Sequence, residues 1–414
     1  MTEKPLIKIT PEALELVIAK HERFITARMG GIRANLAYHD LTGVNLSKRN
    51  LADADFTGAL LYKADMRNAK LDRAALFCAD MRFVNLTNAS LIRADLRGAS
   101  LRGAILIGAN MTGVDLREGM LASAGADGGL EAAHKDLTVK DKGGANLSGA
   151  DLSSARLSGA VATGSNFSDA TLKSVKFAHA NLKGANFKDA NLENADLSDC
   201  QMSDANLRGA VLIGTAFNIS EVSIENMEGA LTGELAGPST KDLVLPIQDL
   251  MRQHEEWVNS NGQNGKQLDL SGFDLRNATV FTRACLTLMR GVGAIMYGVN
   301  LSYAQLQMSE LRDADLRQTN VSGTDMRGSN FSGARFNNAN FKDAYLQPLV
   351  LNQGRAIITN LSKTSLRYAD FTGANLRQVN FREADLTGAN LTGADMTDAI
   401  TEGAIMEDLR YDEK

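Results

Sequence analysis

The sequence predicts an all-β solenoid built of small square coils, in about three arrays, with two short capping α-helices. Three observations predict it. Large apolar residues recur at every fifth position over most of the 414-residue chain. A small residue stands two places before most of them. Where the five-residue phase fails, it fails at glycine-rich or helix-like stretches. A helix of period 3.6 would spread these apolar residues round its whole surface, and a strand of period 2 would send them to alternate faces. If each five-residue unit is one side of a square, four units close a coil and every large residue points inward. Only alanine-sized neighbours then fit beside it near the axis.

The elements follow in order. Residues 1–35 hold a capping helix: Thr10 is a suitable N-cap, Pro11 stands at N1, Glu12 lies in the first turn, and Gly30 and Gly31 close the segment. The first array, 36–121, carries its large residues at Leu36, Leu41, Leu46, Leu51, Phe56 and onward to Leu121. Residues 122–144 are a Gly-rich break, and the phase resumes two positions shifted in a second array, 145–230. Residues 231–267 read as a linker and a second capping helix, with Thr240 as its N-cap and Gly262 and Gly265 at its end. The third array, 268–406, slips by one residue near Cys285, and 407–414 form an acidic tail.

The two helical segments share a core, His21-Glu22-x-Phe24-Ile25 and His254-Glu255-x-Trp257-Val258, which points to two copies of a helix-plus-solenoid module, 1–239 and 240–414. A solenoid end leaves an unpaired coil. An amphipathic helix laying Leu14, Val17, Ile18 and Phe24, or Leu245, Ile247, Leu250, Met251 and Trp257, over the first coil would cover it. Docking of a partner on those helices is the alternative.

The repeats "ADMRN", "ADLRG", "ANFKD", "ANLEN", "ADLSD", "ADFTG" and "ANLTG" make the chain similar to the pentapeptide-repeat family, whose consensus is A-[DN]-L-x-x. The resemblance covers most of the chain. It implies a right-handed quadrilateral β-helix. It also brings in one specific function, because the family includes proteins that imitate DNA in shape and charge and so engage type II topoisomerases such as gyrase.

Composition bears on that possibility. A net charge of −5, with acids and bases interspersed, gives no field for direct nucleic-acid binding or an anionic membrane. Three scattered cysteines and no 18-residue apolar run suggest a soluble, cytoplasmic, bacterial-type chain. A DNA mimic needs an acidic stripe. With twenty residues per coil, Asp55, Ala75, Asp95 and Asp115 stack in one column, but Phe77, Arg97 and Arg117 stack beside it and Tyr62, Arg82 and Arg102 nearby. The known gyrase-directed members also resemble single short rods that dimerise through a C-terminal element, whereas this chain carries its helices before its arrays.

Catalysis needs a cleft with converging polar groups, which a filled square tube lacks. The five histidines are scattered, and no nucleotide, hydrolase or zinc motif occurs. No catalytic residue, cofactor or metal is therefore expected. His39, at an inward position, reads as a buried hydrogen-bonded histidine under the cap and near His21, with a metal site as the lesser reading. The expected function is a non-enzymatic protein-interaction or scaffolding surface, with a protein partner and a possible homo-dimer. Its candidate residues are apolar side chains where the repeat predicts exposure: Leu288, Tyr297, Tyr303 and Met308, then Tyr345, Val350, Ile358 and Tyr368 around the disturbed stretch "LQPLVLNQGRAII". Packing between the chain's own two modules could cover the same residues.

Overall fold

The computed structural model describes residues 6–119, 144–218, 222–351 and 354–411, with the backbone alone of 122–124 and 130–132. The chain divides into two units, Met1–Gly233 and Glu234–Lys414, within the stretch read as linker.

In each unit one five-residue repeat makes one side of a square coil. The residue before each large apolar residue pairs in parallel with its equivalents twenty residues on, as in Asn35, Asp55, Ala75, Asp95 and Asp115. The bonds alternate up and down the stack: Leu36 N–H donates to the Asp55 carbonyl at 2.7 Å, and Asp55 N–H donates back to Ala34 at 3.0 Å. Between sides the chain turns through two residues, and the second adopts positive φ, +62° at Gly58 and +57° at Lys63 and Asn68.

The turn explains why Asn or Asp recurs before the apolar residue. Its side chain accepts from the backbone N–H two residues on, Thr57 to Asp55 Oδ1 at 3.0 Å and Ser47 to Asn45 Oδ1 at 3.0 Å, and so closes the corner. Leu36, Leu41, Leu46, Leu51, Ala54 and Ala59 are fully buried inside the tube. Truncating one such leucine to alanine costs about 2–5 kcal/mol, since the filled coil cannot collapse round the gap.

Among the described residues the coils form two stacks, one in each unit, rather than three arrays. Ser100, Ile105, Asn110 and Asp115 pair with Asn146, Asp151, Arg156 and Val161. One apolar core runs from Leu14 through Leu116 and Leu147 to Val222. Ala145 N–H donates to the Leu116 carbonyl at 2.6 Å, in the place that Ala54 takes on Leu51, so the phase shift in sequence interrupts nothing in the stack. The intervening backbone includes an antiparallel pair, Ala122–Ala124 with Leu130–Ala132. Most of the Gly-rich break lies outside the described residues.

Helix α1 (Pro11–Ile25) starts at Thr10, whose Oγ1 accepts from Ala13 N–H at 3.3 Å. Before it, strand β1 (Ile7–Lys8) pairs in parallel with β2 (His39–Asp40) on the first coil. Leu14 and Ile18 join the core, Val17 packs against it, and Phe24 is exposed rather than covered.

Helix α2 (Ile247–Asn259) begins after Pro246. Thr240 is not its N-cap: it opens a 3₁₀ turn, Thr240–Asp242, capped by Ser239. Proline at 246 already ends the extended approach, so the helix starts later than the threonine suggests. Ile247 is buried, Leu250 and Met251 pack on the second core, and Leu245 is exposed. His39 is half-buried, with Nδ1 2.9 Å from the Ala37 carbonyl, on a side covered by β1 rather than by the helix.

Candidate interaction face

In the second unit Cys285, Gln305, Asp325 and Tyr345 are successive rungs of one side. The corner preceding this side carries Arg283, Tyr303 and Gly323, and the corner following it carries Leu288, Met308 and Gly328. Leu288, Met308 and Gly328 all sit at the left-handed turn position, with φ of +64°, +58° and +71°. Leucine and methionine gain nothing there locally, so backbone strain is borne to hold apolar side chains at a corner.

Above Gly328 the register changes. Asn330 pairs with Asn360 rather than with a residue twenty on, so ten extra residues enter after Tyr345. Among them β3 (Leu349–Val350) runs antiparallel to β4 (Ala356–Ile357) as a hairpin, with Leu351 N–H donating to the Arg355 carbonyl at 2.8 Å. Leu349 and Ile357 sit against the corner: a Cβ on Gly328 would meet both at 3.3 Å. Val350 faces away and is 68% exposed. Tyr345 (49%), Tyr303 (60%), Leu351 and Ile358 are exposed as well.

A chain of polar groups runs between the two corners of this patch. Thr287 Oγ1 donates to Gln307 Oε1 at 2.8 Å, Gln307 Nε2 donates to Asp325 Oδ2 at 2.7 Å, and Arg327 pairs with Asp325 at 2.6 Å. The Arg283 guanidinium stands 5.7 Å from the Tyr303 ring centre.

Six of the eight residues expected at the surface therefore gather on one side and its two corners: Leu288, Tyr303, Met308, Tyr345, Val350 and Ile358. Tyr297 and Tyr368 do not belong, being only 8% exposed each and lying at another corner. Arg317 covers the Tyr297 ring at 5.7 Å and itself pairs with Asp315 at 2.6 Å, while the Tyr368 ring lies flat on Gly388 of the next coil. A residue facing outward from its own coil can still be covered by a long side chain one coil away. Leu351 and Arg355 were not singled out; the ten-residue break in phase was the available signal.

The charged surface follows a local rule. Where Arg stands two residues after Asp, it folds back onto it: Asp65 with Arg67, Asp80 with Arg82, Asp95 with Arg97, Asp115 with Arg117 and Asp274 with Arg276, all at 2.6–2.7 Å. The Arg67 guanidinium holds Asp65 below the usual carboxylate range, as Arg73 does Asp53. These carboxylates carry their own counter-charges.

A cavity of about 200 Å³ lies between α2 and the first coil of the second unit, lined by Leu243, Val244, Leu250, Leu268 and Phe273 with Lys266 at its edge. Its two carboxylates are engaged, Asp242 by Ser239 and Asp269 by Ser271. Among the described residues no group of three His, Cys, Asp or Glu could hold a metal ion.

The family model for pentapeptide repeats matches eight copies across residues 33–76, 79–117, 143–177, 185–218, 309–347 and 359–399, more than half of the chain. The chain belongs to the pentapeptide-repeat family. Solved structures similar to this pentapeptide-repeat protein include HetL from the cyanobacterium Nostoc, involved in heterocyst differentiation regulation, at 20% identity over 97% of this chain and 98% of that one, TM-score 0.21. Rfr23 from the cyanobacterium Cyanothece is 30% identical over 32% of this chain and 86% of its own, TM-score 0.19. QnrB1, a plasmid-mediated fluoroquinolone resistance protein, is 16% identical over 76% and 91%, TM-score 0.17. No curated protein sequence matches this pentapeptide-repeat protein.

Proposed function

We propose that the chain is a non-enzymatic cytoplasmic scaffold that docks a protein partner on the hairpin face of its second unit. The observation that carries this reading is the convergence of Tyr303, Tyr345, Val350, Leu351 and Ile358, all exposed, on one side of a surface whose other outward positions are mainly polar. An aromatic and aliphatic cluster interleaved with hydrogen-bonded polar groups has the mixed composition of a protein interface. The DNA-mimic reading asks for uncompensated carboxylates in a row, and the Asp-to-Arg pairs speak against it.

The test is a photo-cross-linking residue placed at Val350, with one at exposed Lys188 as control, in an extract of the source cells. A discrete adduct from 350 alone, lost when Tyr303 and Ile358 are changed to serine, is the expected result. An adduct of twice the chain mass would identify a second copy as the occupant. Equal labelling from both positions, or none from 350, would sink the proposal.

A further inference from the structure

His21 and His254 occupy equivalent places in the two units, and both are fully buried. Each fastens its capping helix to the coil below by the same contact. His21 Nδ1 accepts from Ala34 N–H at 3.0 Å, and His254 Nδ1 accepts from Leu268 N–H at 3.0 Å. An Nδ1 that accepts from a backbone N–H carries no proton, so both rings are neutral with the proton on Nε2. That Nε2 faces a carbonyl near the end of the same coil, Ala52 or Thr287, without closing a full hydrogen bond. Each ring also stacks on an aromatic one turn on, Phe24 or Trp257, at 5.9 Å between centres.

We propose that these two histidines are acid-sensitive latches, releasing α1 and α2 from their first coils while the coils themselves stay folded. Protonating Nδ1 sets an N–H against the backbone N–H that it now accepts from, and places a charge in a site closed to water. The bond that holds the helix becomes a repulsion. The described coils hold no buried histidine, His39 being half-buried and His179 exposed, and the largely buried carboxylates Asp274 and Asp315 are paired with Arg276 and Arg317 and held below the usual carboxylate range.

The charged groups acting on His21 are Asp53 and Arg33 from the coil side and Glu22 on its own helix. Asp53 and Glu22 favour the imidazolium, Arg33 opposes it, and burial, the largest influence, holds the ring below the ordinary imidazole value. His254 is depressed by burial with only the Thr287 carbonyl to offset it. A released histidine thus binds a proton more readily than a latched one. The latches are fully effective above the ordinary value of about 6.5 and weaken as pH falls below it, by at most roughly tenfold per pH unit for one proton taken up.

Trp257 is the chain's one tryptophan and lies against His254, so its emission, quenched by an adjacent imidazolium, reports that latch alone. The full chain is titrated from pH 8 to pH 4 by Trp257 emission, by imidazole NMR shifts of both histidines and by proteolysis mapped to α1 and α2. Cleavage rates are corrected for the protease's own pH profile on unfolded chain. The expected result is histidine midpoints below about 6.5, a parallel rise in cleavage within both helices, and unchanged far-ultraviolet dichroism from the coils. His254→Asn keeps an acceptor near Nδ1 but does not titrate, and should remove the pH dependence from α2 while leaving that of α1. Helix cleavage that ignores the histidine midpoints in the wild-type chain, or coils lost together with the helices, would overturn the proposal whatever the variant does.

Discussion

The ring of Tyr303 lies across Gly323, its equivalent one coil on, so closely that a Cβ at Gly323 would fall inside the contact distance of Tyr303 Cε1. The same arrangement pairs Phe83 with Gly103, where the added Cβ would meet Phe83 Cε1 at 2.5 Å, and Tyr368 with Gly388. A bulky side chain at a left-handed corner folds over the next coil's corner, and glycine is the residue that leaves room for it. Gly323→Ala should cost about 1–2 kcal/mol from its φ of +62° alone, with the ring clash added. In urea unfolding, Tyr303→Ala should recover the clash part in the double variant. Strict additivity of the two single changes would refute the contact.

Inward and outward positions should differ sharply in tolerance. Ala190 is fully buried in the first unit's core and Lys188 is exposed. Ala190→Arg forces a charge into a dry tube and should prevent folding of that unit or cost more than about 4 kcal/mol. Lys188→Glu should change stability by no more than about 0.5 kcal/mol. Equal melting temperatures would defeat the assignment.

The hairpin should be separable from the coil that bears it. Removing residues 347–356 joins Leu346 to Ile357 and leaves "YLIITNL", which restores the five-residue spacing from Leu346 to Leu361. With Ile358→Gly at the new corner, the second unit should stay folded by circular dichroism, while the partner adduct formed from a photo-cross-linking residue at exposed Tyr345, outside the deletion, disappears. Loss of fold would mean that the hairpin is part of the stack; a retained cross-link would move the interface elsewhere.

Arg317 and Asp315 form a buried ion pair beneath Tyr297. Burial alone would raise the Asp315 pKa, but Arg317, with Arg335 beside it, more than offsets this and the net shift is downward. A depressed carboxylate contributes stability that is present above its ordinary value, about 3.9, and is lost as pH falls through the folded value. Arg317→Ala should therefore cost about 3 kcal/mol at pH 7 by leaving the largely buried Asp315 with only Arg335, at 3.8 Å, as counter-charge. It should also flatten or reverse the acid dependence of the second unit's urea midpoint. An Asp315→Ala/Arg317→Ala double variant no better than the single one would argue against pairing as the cause.

Much of this molecule was legible as sequence because its rules are local. The five-residue period, the inward leucine and alanine, and the Asn or Asp that closes each corner all act within one repeat, so residues near in sequence suffice to reveal them. The shared histidine motif was visible too, but as a mark of duplication; that His21 and His254 reach Ala34 and Leu268 requires the helix to be laid on its coil.

What the tertiary structure decided depends on the coil one level away. Whether residues 36–116 and 145–222 make two stacks or one rests on Ser100 meeting Asn146, forty-six residues on, which no phase count contains. Whether Tyr297 is surface or core rests on Arg317, twenty residues on, and the same spacing sets Tyr303 against Gly323. The physical reason is that a solenoid buries each residue against its neighbours in the stack as well as along the chain. The repeat determines which way a side chain points, and the stack determines what covers it.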